Sequence, residues 1–189
     1  MATTTNEVLG ILTQMELKHS LTPEGAIVMG FGDLESYRDP VGDASMLTVI
    51  NLSESGAHLL VSTPWLYVIR DAERAAQFAM ASVLLHARLK CVKFQYDNSN
   101  GEVRACVEVL LEDATLTPLV LRRAVFGLVQ IIDQIHPILT RVIEDGVIDL
   151  GPIENAASDS LSRMLEHVPP EVLADALRLA DERRRASGI

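Results

Sequence analysis

Apolar positions along the chain change period several times, and each change predicts an element. Over residues 6–17, Val8, Leu9, Leu12 and Met15 recur at helical spacing after Thr4 or Thr5 as a cap. Pro23 and Gly25 end that helix, and residues 26–31 are apolar enough for a strand. Residues 46–52 (MLTVINL) and 57–63 (AHLLVST) predict a hairpin joined by Ser53-Glu54-Ser55-Gly56. Its first strand is apolar on both sides. Met46, Ile50 and Leu52 share one side, while Leu47 and Val49 lie on the other. Such a strand is covered twice, either by its own chain or by a partner.

A helix follows over residues 71–89, with Ala75, Phe78, Ser82, Leu85 and Leu89 on its buried side. The stretch KFQYDNSNGEVRACVEVLLED then reads as a second hairpin. Asn100-Gly101 suits a two-residue turn whose central residues need positive φ. That turn sets Asp97 opposite Arg104, Lys93 opposite Glu108 and Gln95 opposite Cys106. On the other face it sets Tyr96, Phe94 and Val92 against Ala105, Val107 and Val109. A slide of two residues would instead place Asp97 against Glu102, a like-charge pair. The expected register holds Cys91 and Cys106 about 13 Å apart, too far for a disulfide.

Leu116-Thr117-Pro118 opens the longest helix, which ends near Gly146. Leu121, Val125, Leu128, Ile132, Ile135, Leu139 and Val142 alternate at fours and threes, a seam that Val120, Ile131 and Ile138 widen into a sheet-packing face. Pro137 removes a backbone donor and should kink the helix near Asp133. Gly151-Pro152 marks a boundary. Beyond it, residues 155–167 and 171–185 predict two amphipathic helices separated by Pro169-Pro170.

These elements give an α+β fold: helix, three strands, helix, two strands, long helix. A mostly antiparallel sheet of about five strands packs with helices over residues 1–150, and residues 151–189 form a C-terminal helical extension. With 48 % apolar but 4 % aromatic residues in 189, the core must be mainly aliphatic.

The formal charge of −10, with Arg183-Arg184-Arg185 as the one basic cluster, argues against nucleic acid as a partner. The N-terminal stretch MATTTNEVLGILTQ lacks the basic and apolar regions of a signal peptide, and no apolar run is long enough for a bilayer. A cytoplasmic protein without a membrane partner is therefore expected.

Chemical motifs are scarce. The histidines His19, His58, His86, His136 and His167 form no metal-binding pattern, and neither cysteine belongs to a CxxC pair, so no metal is expected. Gly30-Phe31-Gly32 begins a dinucleotide loop, but Glu35 stands at the third glycine position, so no cofactor is expected either. There is no phosphate-binding loop, no serine elbow and no assignable catalytic residue. An enzyme would need a pocket gathering distant groups such as Tyr96, His86 and Cys91. Trp65 and Tyr67, in TPWLY after the hairpin, are rigid amphipathic aromatics suited to a contact surface or to the edge of the core. Leu47, Val49, Trp65 and Tyr67 are accordingly the candidate partner-binding residues.

Several stretches together resemble the YbjN family, labelled bacterial sensory transduction regulators, and the wider type III secretion chaperone-like fold. They are residues 47–52, residues 57–64 with Leu66-Tyr67, Lys93-Phe94-Gln95-Tyr96-Asp97, Gly101-Glu102-Val103-Arg104, Leu111-Glu112-Asp113-Ala114 and His136-Pro137. The resemblance spans about residues 3–145. It implies a non-catalytic, often dimeric domain whose sheet and helix surfaces hold an extended protein segment. The expectation is thus a chaperone-like or regulatory protein-binding homodimer. A structural subunit docking through its C-terminal helices, and an enzyme with a dispersed site, are the alternatives.

Overall fold

The computed structural model describes residues 3–112 and 114–151. The chain divides into two compact units, Met1–Asp149 and Leu150–Ile189. Of the second, Leu150 and Gly151 alone are described, so the two predicted C-terminal helices lie outside the described residues.

The first unit runs α1 (Thr5–Gln14), β1 (Ser20–Leu21), β2 (Ile27–Phe31), β3 (Met46–Ser53), a 3-10 turn (Glu54–Gly56), β4 (His58–Val68), α2 (Ala72–His86), β5 (Val92–Asp97), β6 (Glu102–Leu110) and α3 (Pro118–Asp145). The sheet is antiparallel throughout, in the order β1-β2-β3-β4-β6-β5. The α+β class therefore holds, with six strands. The additional strand, β1, is two exposed residues without an alternating pattern, too short for sequence periodicity to reveal.

Each helix begins on a side chain that satisfies a free backbone donor. Thr4 and Glu7 form a reciprocal capping box on α1. The Asp71 carboxylate accepts the Arg74 amide at 2.8 Å on α2, and Thr117 accepts the Val120 amide at 3.3 Å on α3. Gly146, left-handed at φ 75°, closes α3, which runs unbroken through Pro137. α1 ends at Gln14, three residues before the expected end, where Glu16 turns left-handed.

α2 and α3 pack on one face of the sheet. Phe126 meets Phe31 and Phe78 meets Phe94, both edge to face, which identifies that face as the one carrying Met29, Ile50, Val61 and Ala105. The seam read along the long helix, from Leu121 to Val142, is buried in this core.

Two strand details differ from the sequence reading. The second hairpin pairs Val92 with Val107, Phe94 with Ala105 and Asp97 with Glu102, two residues away from the expected register. Its loop has four residues, closed by the Gly101 amide on the Asp97 carbonyl at 2.8 Å. The like-charge pair that spoke against this register is relieved because both carboxylates are already engaged. Asp97 accepts the Ser99 amide and hydroxyl, which hold its carboxyl below the usual range, and Glu102 is taken by Trp65 and Arg104. A slide of two keeps every side chain on its face, so Lys93 still reaches Glu108 diagonally at 2.6 Å.

The second difference is β4, which continues to Val68, so TPWLY lies inside the strand rather than after it. Between Thr63–Ala105 and Tyr67–Val103 the strand bulges: Pro64, Trp65 and Leu66 stand against Arg104 alone.

Candidate functional site

The bulge frees backbone groups that the ladder cannot satisfy, and two side chains take them. The Trp65 amide, at a left-handed residue (φ 53°), donates to the Glu102 carboxylate at 3.1 Å. The Leu66 carbonyl accepts the Tyr37 hydroxyl at 3.3 Å. Trp65 is thereby presented outward, 50 % exposed, while Leu66 and Tyr67 turn inward.

Tyr67 lies in a polar cluster beneath α3. Its hydroxyl is 2.8 Å from His136 Nδ1, and the rings stack. His136 Nε2 accepts the Arg38 backbone amide at 3.4 Å, which leaves Nδ1 to carry the proton and donate to Tyr67. Three residues earlier on α3, Asp133 accepts the amides of Tyr37, Ser36 and Glu35 at 2.7, 2.8 and 3.2 Å. Burial pushes Asp133 up, but these amides outweigh it and hold the carboxyl below its ordinary value. Burial, then Arg38, pushes His136 down; burial lifts the Tyr37 phenol to about 12 and Tyr67 well above its usual range. The cluster fastens the β2–β3 loop to α3, with every named polar tip occupied. Tyr67 is thus a buried anchor in the first unit.

Leu47 and Val49 sit on the opposite sheet face. Leu47, 49 % exposed, and half-buried Val49 share that face with Val28, directly across from Val49, and Leu60. Pairing of β3 with β4 ends at Val49–Ser62, before the β4 bulge that carries Trp65. The structure therefore puts Leu47 and Val49 on one sheet face, exposes Trp65 on the bulge, and turns Tyr67 to the helix-covered face.

A second apolar surface escaped the sequence reading. α2 buries Phe78, Ala81, Ser82 and Leu85, yet also exposes Met80, Val83 and Leu84, with Val83 at 64 %. Spacings of three and four place these residues on one outward stripe. The signal was present in AMASVLLHA, which is apolar around the whole helix, but a search for one buried face stops at the first stripe found.

The groups a dispersed active site would need are used structurally. Tyr96 donates its hydroxyl to the Ile69 carbonyl at 3.0 Å, and His86 Nε2 accepts the Phe94 amide at 3.0 Å while stacking on its ring. Cys91 is an exposed free thiol lining a groove that neither Tyr96 nor His86 borders. Among the described residues, no group of three or more His, Cys, Asp or Glu could hold a metal, and no helix is long and apolar enough to cross a membrane.

No protein-family model and no curated protein matches the sequence. Among solved structures, YbjN from E. coli, described as a candidate transcription regulator, superposes with a TM-score of 0.50 at 11 % identity. That match covers 72 % of this chain and 94 % of YbjN. The complex of ExsC with ExsE gives a TM-score of 0.43 at 15 % identity, over 74 % of this chain and 97 % of that one. The strand order, the helix-covered face and the long closing helix are thus those of a known fold: this chain shares the fold of YbjN.

Proposed function

We infer that this chain is a non-catalytic, cytoplasmic protein-binding protein, chaperone-like or regulatory, that works as a homodimer and holds a segment of a protein partner. The carrying observation is the apolar patch of Leu47 and Val49 on the sheet face turned away from α2 and α3, with Trp65 exposed on the β4 bulge. Clustered exposed apolar side chains favour association, because covering them removes apolar surface from water at about 25 cal/mol per Å². In this reading the patch takes the partner segment. The outward stripe of α2, Met80, Val83 and Leu84, is the self-association surface.

The test separates the two surfaces. Solution mass by light scattering, and suppression of aggregation of reduced insulin B chain, are measured for the wild type, Val83→Glu and the double variant Val49→Asp/Trp65→Ala. The expected result is a dimer that Val83→Glu dissociates, and a holding activity that the double variant loses while remaining dimeric. A monomeric wild type removes the homodimer. Unchanged holding activity in the double variant removes the sheet patch.

A further inference from the structure

A groove of about 350 Å³ runs between the first half of α3 and the sheet at β5 and β6. Val92, Val107 and Val109 form its sheet wall, and Val120, Ala124 and Ile131 form its helix wall. With Gly127, these helix residues recur at intervals of four, three and four, a stripe flanking the buried seam of α3. The wall recedes at Gly127, where an added Cβ would meet nothing within 4 Å. Glycine costs a helix interior about 1 kcal/mol relative to alanine, and neither positive φ nor a close neighbour requires it here. Its effect is to leave room.

Two cations line the same groove, Lys90 and Arg123. Neither has an ion-pair partner among the described residues. The one acid of the lining, Glu108, is already held by Lys93 Nζ at 2.6 Å. In a chain of net charge −10, an apolar groove with two unengaged cations is a local reversal of sign. Its volume falls at the lower end of the ~300–1,000 Å³ common for small-molecule sites, which are mostly apolar with a few polar groups that fix orientation.

We propose that this groove binds a linear amphiphile with an anionic head, of the fatty-acid class. The hydrocarbon chain lies along the valines, over Gly127, and the carboxylate meets Lys90 and Arg123. The proposal goes beyond partner binding and does not depend on it.

The probe is decanoate below its micelle concentration, titrated calorimetrically into the full chain, with decanol as the uncharged comparison. Saturable binding is expected, together with slower labelling of the Cys91 thiol, which lines the groove. Gly127→Phe, which fills the groove and suits a helix better than glycine, should abolish binding with the circular dichroism spectrum unchanged. Arg123→Glu, at an exposed position, should weaken it tenfold or more, and decanol should bind about tenfold less tightly than decanoate. Absence of saturation, binding by Gly127→Phe equal to wild type, or equal affinity for decanol overturns the proposal. A fall in solution mass on Gly127→Phe also overturns it, because the groove would then hold a second copy of this chain.

Discussion

The imidazole of His136 and the phenol of Tyr67 meet at 2.8 Å with their rings stacked, under a loop whose Arg38 amide occupies the second imidazole nitrogen. Protonation would turn that nitrogen from acceptor into donor, facing another donor. Burial and Arg38 already hold His136 below its ordinary 6.5. The unfolded chain therefore takes up the proton first, and stability falls as pH drops from about 6.5 towards the folded value. Melting temperature followed between pH 7.5 and 5 should decline, and His136→Asn should flatten that decline while lowering the value at pH 7.5.

The alkaline limb has the opposite sign. Tyr37 ionises near 12 when folded, against 10.0 ordinarily. The folded state keeps its proton where the unfolded state loses it, so stability decreases as pH rises from about 10. Tyr37→Phe should shallow the loss, measured by denaturant midpoints at pH 9 and 10.5. At neutral pH it should cost about 1 kcal/mol through the Leu66 carbonyl left without the phenol.

Glu102 supports the outward posture of Trp65. Glu102→Ala should destabilise the fold by roughly 2 kcal/mol, since hydrogen bonds to a charged group are lost from a buried position. Glu102→Gln, which keeps an acceptor, should lose less. Trp65 is the sole tryptophan, so its emission spectrum reports the change directly.

Gly101 closes the β5–β6 loop at φ 80°, and an added Cβ would stand 2.6 Å from the Ile69 carbonyl oxygen. Gly101→Ala should cost about 1–3 kcal/mol in the urea midpoint.

Thr48 gives a gain rather than a loss. It is fully buried in the middle of β3, and its hydroxyl has no hydrogen-bond partner among the described residues. Thr48→Val should raise stability by about 1 kcal/mol, read from the thermal midpoint.

Periodicity carried most of this fold. The seam on α3, the caps at Asp71 and Thr117 and the buried face of β3 all follow from side-chain spacing and local donors. The β5–β6 register did not, because it depends on where Glu102 spends its charge, and the answer is Trp65, far away in sequence. Nor did the site emerge whole. Leu47, Val49 and Trp65 were visible as apolar residues in unusual positions, but the separation of Trp65 from Tyr67 needs the bulge. Within a regular strand, residues two apart share a face.

That bulge also sets an arithmetic for change in chain length. Three residues of β4 stand against one of β6, an excess of two, and an even excess returns Tyr67 to the face of Thr63. Losing both extra residues would keep Tyr67 over the core. Losing one would reverse it and carry its hydroxyl away from His136. Descendants of this sequence can therefore shorten TPWLY by two residues more safely than by one. Among diverged copies, gaps at this point are expected in even steps.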